Sequence, residues 1–189
     1  MKERSLQALK LEIRLQAKNG VDFLFAAGIV WLMIAYIWTL KYTAYDRSIL
    51  TFIAGAIMLP MAFGFSRILR TDWKVKDNPL QPLGLWLNFA QLIYFPFLIF
   101  ILLKDPDHFV MAYAIITGAH FFPYAWLYDE IGYAIWAVLI SLGSFFISIN
   151  IAAEMMWTVP LYTSFMMFLL AGWIFTRVVR LKKKTTSAA

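Results

Sequence analysis

Apolar residues fall along this chain in six long runs separated by short charged joints. The runs are Phe23–Leu40, Ile49–Leu69, Leu83–Leu103, Phe109–Leu127, Ile131–Ala153 and Trp157–Val179. A hydrocarbon core about 30 Å thick is crossed by roughly 20 helical residues, so each run predicts one membrane-spanning helix. The joints are Lys41 to Arg47, Arg70 to Asp77, Lys104 to His108, the pair Asp129–Glu130 and the single Glu154. Ahead of the first run, Leu6, Leu9, Ile13 and Ala17 recur at helical spacing among Lys and Arg. This predicts a short amphipathic helix on the inner leaflet. Leu11 and Leu15 interrupt the stripe, which leaves docking on a partner equally open. The expected organisation is a cytoplasmic interfacial helix over 1–20, a six-span transmembrane domain over 21–180 and a flexible basic tail over 181–189. The fold class is all-α, a polytopic six-helix bundle.

Composition supports the membrane reading. Of 189 residues 62% are hydrophobic and only 15% charged, whereas soluble domains are about half apolar and a quarter charged. The lipid bilayer is therefore the first expected partner. Lys and Arg orient the chain. Five precede the first span (Lys2, Arg4, Lys10, Arg14, Lys18), four flank the second joint (Arg67, Arg70, Lys74, Lys76), and five lie at the end (Arg177, Arg180, Lys182, Lys183, Lys184). Lys41, Arg47 and Lys104 alone fall on the other side. Fourteen against three predicts cytoplasmic N- and C-termini. Aromatic belts follow the same frame, with Trp38, Tyr42, Tyr45 and Trp157 at the outer boundary and Trp73, Trp86, Trp126 and Tyr128 at the inner one.

The net charge of +6 does not predict nucleic-acid binding, because the basic residues mark span ends instead of forming a continuous stripe. No cysteine is present, which removes disulfides, thiolate metal sites and thiol catalysis. The first apolar run does not read as a cleaved leader, since acidic Glu3 and Glu12 precede it and no small-residue cleavage site follows a short core.

Polar side chains inside the apolar runs carry the chemical interest, because hydrocarbon penalises them unless they face the bundle interior. Tyr113, Thr117, His120 and Tyr124 step along the fourth span by four, three and four residues, one helix face. Pro123 beside them is expected to free the carbonyl of Ala119. The third span adds Asn88 and Gln91, one turn apart, then Tyr94 and Pro96. These residues are expected to line a polar pocket between the third and fourth spans, with His120, Asn88, Gln91, Tyr113, Thr117 and Tyr124 as ligand contacts. The competing reading is that Asn, Gln and His only hold helices together. Ala137, Ser141, Ser144 and Ser148 form a small-residue stripe on the fifth span, which permits close helix approach. The runs Phe65–Arg70 and Phe175–Arg180 end their spans alike, best explained by snorkelling arginines at the headgroups.

Metal and haem sites are not expected, nor any other cofactor. His108 and His120 are the only histidines. On one helix they would stand about 18 Å apart, too far to share an ion. Asp129 and Glu130, at the inner turn, are expected to pair with a base of the second joint, Arg67, Arg70 or Lys74.

Asn78-Pro79-Leu80 leading into Leu83-Gly84, followed by Asn88-Phe89-Ala90-Gln91-Leu92-Ile93-Tyr94, resembles a bacterial family of small multi-span membrane proteins. Gly118-Ala119-His120-Phe121-Phe122-Pro123-Tyr124-Ala125-Trp126-Leu127-Tyr128 is similar to that family's most distinctive segment. It is one of the domain-of-unknown-function families, and the likeness extends from before the first span to about the fifth. The resemblance implies a bacterial inner membrane and brings no activity with it. The leading expectation is thus a binding or transport protein for a small or lipid-like molecule. The alternatives are a membrane-embedded enzyme using His120 as general base, and a scaffold or regulatory subunit; a homo-oligomer stays open.

Overall fold

Proline decides where these helices are interrupted. The computed structural model describes residues 4–187; Lys2 of the basic N-terminal group and residues 188–189 of the tail lie outside that range. The α-helices in chain order are α1 (Leu6–Gln16), α2 (Val21–Thr39), α3 (Ala44–Ala56), α4 (Met58–Leu69), α5 (Gln81–Leu92), α6 (Phe95–Lys104), α7 (Phe109–Ala119), α8 (Tyr124–Leu127), α9 (Gly132–Ile149) and α10 (Thr158–Ser187). No strand occurs among the described residues. Pro60, Pro96 and Pro160 each fall in the first turn of their helix, and Pro123 immediately precedes α8. A ring lacking N–H is tolerated there and breaks a helix elsewhere. The second, third and fourth spans are accordingly built from two pieces each, α3–α4, α5–α6 and α7–α8, while α2, α9 and α10 run unbroken.

Six helical segments are long and apolar enough to cross a membrane: Lys18–Thr39, Ala44–Leu69, Gln81–Lys104, Pro106–Leu127, Gly132–Ile149 and Ala153–Ser187. Each overlaps one of the six runs read from the sequence, with ends shifted by up to several residues; Ala153, read as the end of the fifth run, opens the sixth segment. The last continues to Ser187, so the stretch from Leu181, expected to be a flexible tail, is helical as far as that residue.

The first span is the axis. α2 packs against α3, α4 and α10, and α9 lies between α7 and α10. Small residues set these approaches. Ser164 Oγ donates to the Gly28 carbonyl at 2.7 Å, and the Phe168 ring occupies the space beside Gly28, 2.8 Å from where a Cβ would stand. The stripe on α9 acts as expected: Ala137, Ser144 and Ser148 are buried, and Ser141 Oγ donates to the Ile115 carbonyl of α7 at 3.1 Å. The third span sits at the rim. Of its apolar window 6% is buried, against 61% for the first span.

At the end that carries both termini, α1 crosses the joints. Arg14 pairs with Asp129 at 3.2 Å, Lys10 Nζ lies 3.7 Å above the Trp126 ring, and Asn78 Nδ2 donates to the Leu9 carbonyl at 2.9 Å. The expected partners of the acidic pair are thereby corrected. Asp129 meets α1, and Glu130 meets Arg177 of α10 at 3.1 Å, because α1 and α10 rather than the second joint flank the fourth. Trp38 is also corrected. It is no boundary anchor but a core residue, 1% exposed, whose Nε1 donates to Thr51 Oγ1 at 3.0 Å. Tyr42, Tyr45, Trp86 and Trp126 are exposed, as belt residues must be.

Candidate functional site

The residues singled out on the third and fourth spans separate into a linked group of five and one outlier. A break in the fourth span makes the link. α7 ends at Ala119, and the chain turns tightly through His120–Pro123 before α8. In that turn the Phe121 N–H reaches the Gly118 carbonyl at 3.1 Å, and the Phe122 N–H reaches Ala119 at 3.1 Å. The Ala119 carbonyl is therefore not freed by Pro123; it is taken by the tighter turn. Phe121 having moved to Gly118, the Thr117 carbonyl is available to a side chain, and His120 Nδ1 lies 2.6 Å from it. A carbonyl oxygen only accepts, so Nδ1 carries the proton and Nε2 presents its lone pair.

Around this ring the other residues follow. Gln91 Nε2 approaches Thr117 Oγ1 at 3.5 Å, a weak contact. Tyr124 OH donates to the Gly84 carbonyl at 3.0 Å, and Asn88 Nδ2 donates to the same oxygen at 3.1 Å. Asn88 itself is on the exposed side of α5, with its amide turned back along its own helix rather than into the bundle. The His120 ring stands edge-on to Tyr124, centroids 5.9 Å apart. Tyr113 is the outlier. It packs among Trp31, Phe52, Phe95 and Phe109, within an aromatic cluster at the N-terminal half of α7. An open cavity of about 500 Å³ lies elsewhere, at the end opposite the termini, between Trp38, Arg47, Glu154 and Trp157.

A second polar cluster was not anticipated from the sequence. Asp22, in the first turn of α2, is fully buried. Its Oδ2 accepts from Thr71 Oγ1 at 2.7 Å and from Trp73 Nε1 at 2.6 Å. Tyr124, Tyr128 and Tyr133 stack beside it with ring centroids 5.6–5.8 Å apart. Burial, reinforced by Tyr124 and Asp22, raises the Tyr128 phenol above its ordinary range, so it stays neutral at physiological pH. Glu130, also fully buried, accepts from Trp173 Nε1 at 3.1 Å as well as from Arg177. The available signal was Asp22 itself, an acidic residue one position before the first apolar run, which reads as an ordinary boundary charge until its neighbours are known.

Residues 6–177 match a family of unknown function (DUF7010), and the chain belongs to that family. No curated protein and no solved structure matches the chain.

Proposed function

We propose that this chain, as a member of that family, is a six-span protein of a bacterial inner membrane with both termini in the cytoplasm, and that it binds a small or lipid-like molecule at the seam between the third and fourth spans. One observation carries the reading. His120 Nδ1 is committed to the Thr117 carbonyl, which leaves the Nε2 lone pair as an acceptor in a setting where an unmatched polar atom is costly. Its natural partner is a ligand hydroxyl or amine. The weak packing of the third span supports access from the bilayer, since only 6% of its apolar window is buried. Gln91 and Thr117 flank the ring and Tyr124 closes one side, whereas Tyr113 is left to the core. Transport would add movement of the third span to this binding.

The orientation rests on the fourteen basic residues at the termini end; reporters fused at either terminus should read cytoplasmic, and an external C-terminus would overturn it. The binding reading is tested with a photoreactive long-chain alcohol added to the protein in nanodiscs. Labelling should concentrate on residues 84–94 and 117–124 and fall strongly in His120→Phe, which keeps an aromatic ring beside Phe121. Even labelling of all exposed helices, unchanged by the substitution, would reject it.

A further inference from the structure

The turn joining α1 to α2 is strained and closed, and it contains polar atoms with nothing to bind. Lys18, Asn19 and Gly20 are consecutive left-handed residues, with φ of 46°, 53° and 70°. For the two that are not glycine this conformation is costly, and it persists only where the surroundings enforce it. They do so here: Lys18 Nζ donates to the Leu69 carbonyl and Tyr133 OH donates to the Asn19 carbonyl. The turn holds Asn19 at 1% exposure, yet neither Nδ2 nor Oδ1 of its amide has a hydrogen-bond partner. Three residues on, Asp22 is 0% exposed and its Oδ1 likewise has none. Among the described residues no Lys or Arg lies within ion-pair distance of Asp22. The Tyr128 and Tyr133 hydroxyls converge on the same turn, 3.3 and 3.7 Å from the position a Cβ on Gly20 would take.

We propose that Asn19 and Asp22 form a binding site for one monovalent alkali cation at the base of the first span. The occupant must be of atomic size, because both side chains are sealed from solvent. Its charge follows from the donor set: one carboxylate with no basic side chain in ion-pair contact, the nearby Lys18 being engaged by the Leu69 carbonyl, calls for a single positive charge. Its hardness follows as well, since a carboxylate oxygen, an amide oxygen and neighbouring phenol oxygens are hard donors that suit a sodium-like ion and offer too little charge for a divalent one. Thr71 and Trp73 hold the other carboxylate oxygen and fix the carboxylate in place, with Oδ1 left unpartnered. Binding would fasten the second joint and α2 to the tyrosine-bearing fourth and fifth spans.

The test is thermal unfolding of the wild-type protein in detergent, in sodium chloride against choline chloride at equal ionic strength. Sodium should raise the midpoint by several degrees in a saturable way, because a ligand that binds only the folded state stabilises it by mass action. Asn19→Gly, which suits the left-handed backbone while removing the amide, should weaken the response. Asp22→Asn should abolish it. Equal midpoints for wild type in sodium and choline would overturn the proposal, leaving water as the partner of these atoms. A sodium response retained in full by both variants would overturn the assignment to this site.

Discussion

The first and third spans are both apolar enough to cross a membrane, and they occupy opposite places in the molecule. The first has 61% of its window buried and the third 6%. Side-chain size, not hydrophobicity, separates them. α2 carries Ala26, Ala27, Gly28 and Ala35 along buried faces, and α10 comes close enough for Ser164 to bond the Gly28 carbonyl. α5 and α6 present Trp86, Phe89, Phe97 and Phe100 outward, a surface made for lipid rather than for a neighbouring backbone. Burial then dictates polar chemistry. The axis can contain an ionisable Asp22 because α2 and the second joint shield it and satisfy one of its oxygens. The rim helix can afford only amides such as Asn88, which satisfies itself on its own helix.

The largest effect is expected at Asp22. Asp22→Ala strands the Thr71 hydroxyl and the Trp73 indole N–H in a buried site, and should cost about 3 kcal/mol, read as a lowered unfolding midpoint in detergent. A change near zero would mean that the cluster is not buried. Matched glycines sharpen the contrast with opposite signs. Gly28→Ala drives a methyl into Phe168 and should destabilise by about 2 kcal/mol. Gly84→Ala meets only Leu127, 3.7 Å away, and should be neutral or stabilising by about 0.5 kcal/mol, because alanine favours helix over glycine. If Gly84→Ala proved the worse of the two, the assignment of axis and rim would be reversed. The smallest effect belongs to Asn88→Ala, expected within about 0.5 kcal/mol of wild type, since its amide bonds a carbonyl that Tyr124 also satisfies. A loss of ligand labelling in that variant would restore Asn88 to the site.

Much of the architecture is legible in the sequence. Six spans, their approximate limits and the close-packing stripe on α9 follow from run length and residue size, which act locally. The candidate site was legible only in part. Helical spacing aligned Tyr113 with His120, but seven residues at about 1.5 Å each set the two roughly 10 Å apart along α7. At the level of Tyr113 the neighbours are the rings of Trp31, Phe52, Phe95 and Phe109, so Tyr113 joins the aromatic core. Spacing also could not say that the Ala119 carbonyl would be recaptured by Phe122 while that of Thr117 would be released to His120. Asp22 escaped notice, and the burial of Glu130 was not foreseen, because each sits at a span end, where a charge is ordinarily solvated. Their burial depends on Trp73 and Trp173, residues 51 and 43 positions away in the chain. Long-range packing of that kind leaves no local signature.

The central claim, a fixed first span and a loosely seated third one forming the outer wall of the His120 seam, is tested most directly by oxygen accessibility. The chain has no cysteine, so single cysteines can carry nitroxide labels without background. Labels at Phe89, Leu92 and Phe97 in nanodiscs should relax rapidly with molecular oxygen, as lipid-facing positions do. Labels at Leu24, Ala27 and Ile34 of the first span should be shielded from it. Equal shielding of the two helices would contradict the account, because a third span buried as deeply as the first leaves no lipid-side entrance to His120.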